Sequence, residues 1–300
     1  MDVGTNTVLF LAMENTGPGR ARVLGEGIAP TRLGAGLAAG EPSAAARAKT
    51  LDALEGFLQN ARDLGVENVR VVGTEVLRRG AWRREFLDAV RARFGLGVEV
   101  LTPEEEGRLV LLAARRSLPL GFKPVVAVDV GGGSAQVIRE LARGRPPRVA
   151  SYPVGCVLIT ERFFQGPGEA RAWDEARAYI NKETAAVEPM AAAGMVLAGG
   201  TAATLAALEL GLVVYDAAKI HGFELTREAC FGWAERVYAL SPGERALLPG
   251  MPEGRADVFP AGALAVAAIM EKLGRAHALV SAQGVRYGVA YRYFDDEATA

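Results

Sequence analysis

An Asp-Val-Gly turn followed by small residues occurs twice in the chain, as "DVGTNT" from Asp2 and as "DVGGGS" from Asp129. In each copy a carboxylate stands at the end of an apolar strand. Glycine then lets the backbone turn tightly and aim its N–H groups outward as an anion-binding nest. One such segment alone is better explained as an ordinary hairpin turn. Two of them, each opening a similar succession of elements, point to an internal duplication.

The flanking patterns repeat in the same way. After the first turn, "VLFLAM" and "ARVLGEGI" read as strands, with "ENTGPGR" between them as a turn and "TRLG" as a third extended piece. Ser43 opens a helical pattern through Ala46, Leu51, Leu54, Leu58 and Ala61 that stops near Gly65. Strand "VENVRVVGT", a helix around Trp82 to Phe94, strand "GVEVL" and a helix from Pro103 to about Arg116 complete a βββαβαβα order. In the second half, "PVVAVDV", "AQVIREL" and "PRVASYPV" again give three strands. Helices over about 157–164 and 169–188, a buried strand "MVLAG" and a helix from Thr201 follow. The expected fold is therefore α/β, with two similar domains over 1–117 and 118–300 and a cleft between them.

Composition narrows the class of function. Of the 300 residues 50% are apolar and 23% charged, as in ordinary globular proteins, and no apolar run approaches the ~18 residues of a membrane span. A cytoplasmic protein is expected. The formal net charge of −1 gives no global attraction to nucleic acid or to a membrane, so a polyanionic ligand has to be held locally. Two histidines, His221 and His277, exclude a multi-histidine metal centre and disfavour a Ser-His-Asp triad; His221 reads as structural. Cys156 and Cys230 lack metal or redox spacing and read as small buried hydrophobes. With only Met1 before Asp2, the first strand is short, and the natural chain is expected to begin several residues upstream.

The loops carry the candidate chemistry. Gly4, Thr5, Asn6 and Thr7 in the first and Gly131, Gly132, Gly133 and Ser134 in the second supply phosphate-binding donors, while Asp2 and Asp129 are candidate ligands of a divalent cation. A third loop, "LAGGTAATLAAL", sets Gly199, Gly200 and Thr201 between a buried strand and a helix N-terminus, where free N–H groups and the dipole favour an anion. In "LTPEEEGRL", Thr102 fits an N-cap and Glu105 completes its capping box. Glu106 has no capping duty and is the candidate for orienting a water. A helix N-terminus weakens a carboxylate as a base, but phosphoryl transfer needs the water positioned more than deprotonated. Arg78, Arg79, Arg83 and Arg84 form a basic run that reads mainly as a solvated face; one of them, Arg78, is a candidate phosphate ligand.

Taken in order, "DVGTNT", "TRLGAGL", "GTEVLRRG", "EVLTPEEEGRL", "VDVGGGS", "LAGGTAATLAAL", "KIHGFELT" and "GRADVFPAGALAV" resemble the exopolyphosphatase/guanosine pentaphosphate phosphohydrolase family. The resemblance implies two ribonuclease-H-like domains of the actin-like ATPase superfamily. It also implies release of terminal phosphate from inorganic polyphosphate, or of the 5′-phosphate of guanosine pentaphosphate, with Mg²⁺ or Mn²⁺. By the same resemblance Glu106 and Asp129 are the catalytic carboxylates. Gly4 to Thr7, Arg78, Gly131 to Ser134 and Gly199 to Thr201 are the phosphate cradle, and Asp129, Asp2 and Gln136 are the metal-site candidates.

Three departures from the family pattern stand out. Gln136 replaces a glutamate, Leu9 replaces an arginine, and "VSAQG" from Val280 replaces "VSDRG". They leave a catalytically weakened polyphosphate or nucleotide sensor as the alternative, and a sugar or acetate kinase of the same fold as a further one. A homodimer is an open option.

Overall fold

The structure is a computed structural model that describes residues 1–17, 20–35, 40–78, 80–121, 123–142, 145–165, 169–190 and 194–299. The chain divides into two compact units, 1–109 with 285–300, and 110–284.

The first unit opens with β1 (Asp2–Val3), β2 (Thr7–Gly17) and β3 (Arg20–Pro30), continues through α1 (Ala44–Asp63), β4 (Val71–Gly73), α2 (Trp82–Phe94) and β5 (Val98–Val100), and enters α3 (Pro103–Ser117). Its strand order is β3-β2-β1-β4-β5. Strands β1, β2 and β3 pair antiparallel, whereas β4 lies parallel to both β1 and β5. Alternation along β2 turns Val8, Phe10 and Ala12 into a core shared with Leu54, Phe57, Phe86 and Val90 of α1 and α2. Local signals set the helix limits. The Ser43 side chain accepts from Ala46 N–H to start α1, and Gly95 at φ 70° ends α2.

The second unit repeats the plan with β6 (Val125–Val130), β7 (Ala135–Arg139), β8 (Arg148–Tyr152), α4 (Cys156–Phe163), α5 (Ala170–Glu183), β9 (Gly194–Ala198) and α6 (Gly199–Glu209). It then adds α7 (Ala217–Ile220), β10 (Glu224–Thr226), α8 (Arg227–Tyr238), α9 (Pro242–Ala246), α10 (Phe259–Lys272) and β11 (His277–Val280). The order β10-β11-β9-β6-β7-β8 contains β8-β7-β6-β9-β11, which matches the first sheet strand for strand and in every pairing direction. Helix α10 is buried continuously from Phe259 to Met270, as its apolar residues on all sides require. Among the described residues no helix is long and apolar enough to cross a membrane.

Two expectations are corrected. "TRLG" is not a strand: β3 ends at Pro30, Arg32 takes φ 54°, and the segment is tied to the first loop by Arg32 N–H to the Asn6 carbonyl (2.9 Å) and Gly34 N–H to the Thr5 carbonyl (2.7 Å). The third strand of the first unit is instead Asp2–Val3 itself. The division also differs from 117/118. Helix α3 runs through the boundary, and the final helix, α11 (Val285–Thr299), belongs to the first unit. There Arg286 bonds Glu26 at 2.5 Å and Arg292 bonds Glu99 at 2.9 Å. Gly288 allows the α11 backbone to touch that of Leu109. Pro18 and Gly19 of the expected "ENTGPGR" turn lie outside the described residues.

Candidate functional site

The two Asp-Val-Gly loops have the same internal geometry. Gly4 N–H donates to the Thr7 carbonyl at 3.0 Å, and Gly131 N–H donates to the Ser134 carbonyl at 2.9 Å. Asp2 sits across from Leu9, and Asp129 across from Gln136. The departures at Leu9 and Gln136 therefore occupy equivalent positions, each the cross-strand neighbour of a loop aspartate on one face of its sheet.

Their surroundings differ. Asp2 is only 8% exposed, its Oδ1 has no hydrogen-bond partner, and burial pushes its carboxyl up to about 6. Thr5, Asn6 and Thr7 are buried as well, with Asn6 Nδ2 unpartnered. In the second loop the carbonyls of Gly131 and Gly132 accept from Cys156 N–H (2.9 Å) and Val157 N–H (2.9 Å) at the start of α4. Because a trans peptide points its N–H opposite its C=O, the amides of Gly132 and Gly133 face away from that helix. Gly155, at the N-cap of α4, packs so closely on this loop that a Cβ there would overlap the loop backbone.

Next to this loop lies the start of α6, which has no side-chain cap and so presents unspent N–H groups. Gly199, at φ 83°, has no room for a Cβ because the Asp129 carboxylate occupies it. At Gly200 the same space is filled by the guanidinium of Arg255. Thr201 spends its hydroxyl proton on the Val130 carbonyl (3.2 Å), so its own contribution to an anion comes from the backbone N–H. Gln136 is 2% exposed with neither Oε1 nor Nε2 partnered. Arg255 is the residue the sequence reading missed. Burial lowers its pKa, with the Cys156 thiol, Tyr215 and Asp129 acting in the opposite sense. The available signal was a charged "GRAD" just ahead of a helix that is apolar from Phe259 to Met270.

In the first unit the start of α3 separates the two glutamates. Thr102 N–H bonds the Glu105 carboxylate at 2.8 Å and Glu105 N–H bonds the Thr102 hydroxyl at 3.2 Å, a capping box that lowers the Glu105 pKa. Glu106, with its side chain 14% exposed, is paired with Arg78 Nη2. The same guanidinium bonds the Leu101 carbonyl through Nε at 2.8 Å and Glu75 through Nη1 at 2.9 Å. Arg78, expected as a phosphate ligand, thus joins Glu75, Leu101 and Glu106 through one guanidinium. Arg83 and Arg84 are exposed, and Arg79 lies outside the described residues.

His221 is structural. Its Nδ1 accepts from Ala282 N–H (3.2 Å), so Nε2 carries the proton given to the Ser117 carbonyl (3.1 Å). Both cysteines are buried, and burial pushes their thiols up to about 11 (Cys156) and about 12 (Cys230), as suits small buried hydrophobes.

Residues 14–297 match the family model of the Ppx/GppA phosphatase family. The chain belongs to that family. It is similar to exopolyphosphatase 2 of Mycobacterium tuberculosis, 31% identical over 295 residues that cover 91% of this chain and 89% of the relative. Among solved structures it is similar to the Ppx/GppA family member of Aquifex aeolicus, with 31% identity, a TM-score of 0.82 and coverage of 99% of this chain and 96% of that one. An exopolyphosphatase from Cytophaga hutchinsonii, 22% identical, shares the fold with a TM-score of 0.89 over 98% of this chain and 96% of its own. The two-unit architecture is thus that of the actin-like ATPase fold.

This Ppx/GppA chain can be tested for the divalent ion its family resemblance implies. Among the described residues no three His, Cys, Asp or Glu side chains cluster as a ready-made cage. Mg²⁺ does not need one, since it keeps several waters and uses one or two carboxylates together with substrate phosphates. Asp129 with the orphaned Gln136 Oε1 in the second unit, and the orphaned Asp2 Oδ1 in the first, are hard oxygen donors of that kind.

Proposed function

We propose that this chain is a metal-dependent phosphohydrolase that releases the terminal phosphate of inorganic polyphosphate, by attack of a water oriented by Glu106. The observation that carries the reading is the division of labour at the start of α3: Glu105 is consumed by the cap, while Arg78 fixes the Glu106 carboxylate apart from it. The relatives named exopolyphosphatase supply the substrate class.

In the reaction the water oxygen forms a bond to the terminal phosphorus, the bridging P–O bond breaks, and Glu106 takes the water proton before passing it to solvent. Mg²⁺ or Mn²⁺ would be held by Asp129 with Gln136 Oε1 in the second unit, or by Asp2 in the first, and would neutralise charge on the phosphates. The amides of Gly132 and Gly133 and the start of α6 hold the phosphate oxygens, with Arg255 beside them. Guanosine pentaphosphate is the second substrate candidate, since its 5′-phosphate presents the same terminal anhydride. A weakened sensor is the second reading, favoured by Leu9 and Gln136 at the two equivalent positions.

Phosphate release from polyphosphates of several lengths, guanosine pentaphosphate and ATP, each with Mg²⁺ and Mn²⁺, tests the proposal. Release from polyphosphate without an added acceptor supports it. Tight binding without release would establish the sensor, and transfer only to a sugar or acetate would establish a kinase.

A further inference from the structure

We infer that the half-site of the second unit is an anion site first, and takes up a divalent cation only after phosphate is bound, with Gln136 setting that order. The inference rests on the proposed hydrolase reading and deepens it. Around the Gly199–Gly200 turn stand one carboxylate, Asp129, and one guanidinium, Arg255, each filling the space a glycine leaves free. Their formal charges cancel. Gln136 is neutral, and the remaining groups are N–H donors: the amides of Gly132 and Gly133 and the uncapped start of α6.

A free Mg²⁺ or Mn²⁺ entering here meets a single carboxylate with a cation beside it, too little negative charge for a hard ion. A phosphate chain meets the guanidinium and a set of outward N–H groups, which is what an oxyanion requires. Once bound, its oxygens add the negative charge and the ligands that the cation lacked.

Gln136 ties the two steps together through its chemistry. Its carboxamide is cross-strand from Asp129, is almost wholly buried, and has both its donor and its acceptor unpartnered. Leaving such a group unsatisfied is costly, so groups that enter with the ligand are the partners it lacks. A carboxylate at this position could only accept, and would favour a cation before phosphate. The amide can donate Nε2–H to a phosphate oxygen and offer Oε1 to the cation side.

Calorimetric titration of the full chain tests the order, using tripolyphosphate in EDTA and Mn²⁺ alone as separate ligands, with the wild type, Gln136→Glu and Gln136→Leu. The wild type should bind tripolyphosphate in EDTA and show no saturable Mn²⁺ binding up to millimolar concentration. Gln136→Leu should weaken tripolyphosphate binding by at least about tenfold, and Gln136→Glu should do the same while tightening Mn²⁺ binding by at least about tenfold. If Gln136→Glu fails to fold, as its thermal transition will show, the Gln136→Leu arm decides alone. The order is overturned if the wild type binds Mn²⁺ by itself as tightly as Gln136→Glu, if it binds tripolyphosphate only with metal present, or if Gln136→Leu binds tripolyphosphate like the wild type. Should any of these hold while polyphosphate is still hydrolysed with Mg²⁺, the order alone is wrong. Absence of hydrolysis and of tripolyphosphate binding, with or without metal, would remove the hydrolase reading and the order with it.

Discussion

The two Asp-Val-Gly loops share one hydrogen-bonded turn and almost nothing else. The first is held from outside by the strap at Arg32 and Gly34, and its aspartate is buried opposite a leucine. The second is held by the start of α4, and its aspartate stands beside an uncapped helix, an arginine and a glutamine. Duplication has copied the backbone, including the position seven residues after each aspartate. What each copy can do is decided by the side chain at that position and by the element packed on the turn. The second loop has the richer set of polar groups, and it is the one to which we assign the larger share of phosphate and metal binding.

The largest effect should therefore separate the two aspartates. Asp129→Asn is expected to lower phosphate release by about a hundredfold or more, in the range seen when one preorganised electrostatic group is removed from an active site. Asp2→Asn should lower it by less than about tenfold. Equal losses in steady-state assays would show that the two loops carry the chemistry evenly.

Next in size is the support of the second turn. A Cβ at Gly155 would overlap the backbone of Gly132 to Ser134, so the loop has to move in Gly155→Ala. Overpacking of this kind costs about 1–3 kcal/mol, read as a lower midpoint in denaturant unfolding, with activity falling along with it. A variant as stable and active as the wild type would show that the close seat of α4 on the loop is not needed.

An effect no larger than this concerns the buried aspartate of the first turn and depends on pH. Burial holds the Asp2 carboxyl up to about 6, above its ordinary 3.8, so the folded chain binds this proton more tightly than the unfolded one. Stability from this group is present at low pH and is lost as pH rises from about 4 through 6. Asp2→Asn, neutral throughout, should exceed the wild type by about 1–3 kcal/mol at pH 8, with the gap closing toward pH 4. A gap that stays constant across unfolding curves at several pH values would show that Asp2 titrates normally.

How much of this was legible in the sequence follows from where each signal acts. Helix α2 over Trp82–Phe94, the Ser43 cap and the Thr102–Glu105 box are local, written within a few residues, and were readable. The strap at "TRLG" was misread as a strand because its apolar leucine serves the core while its amides serve the distant loop at Thr5 and Asn6. Arg255 escaped because its place beside Gly200 is created by a contact distant in sequence, which no spacing rule encodes. Arg78 was found, but its three partners at Glu75, Leu101 and Glu106 were not, since two of them lie beyond the local turn. The return of α11 to the first unit has the same cause: its anchors at Glu26 and Glu99 are single residues far upstream.

The most direct measurement is a single-turnover assay of terminal phosphate release from polyphosphate in ¹⁸O-labelled water with Mg²⁺, run on the wild type, Glu106→Gln and Glu105→Gln. The expected result is one ¹⁸O in each phosphate released by the wild type. Glu106→Gln should be at least about a hundredfold slower at little changed substrate affinity, and Glu105→Gln should keep the wild-type rate to within a few-fold. Release at the wild-type rate by Glu106→Gln, an equal loss in both variants, or phosphate without label would contradict it.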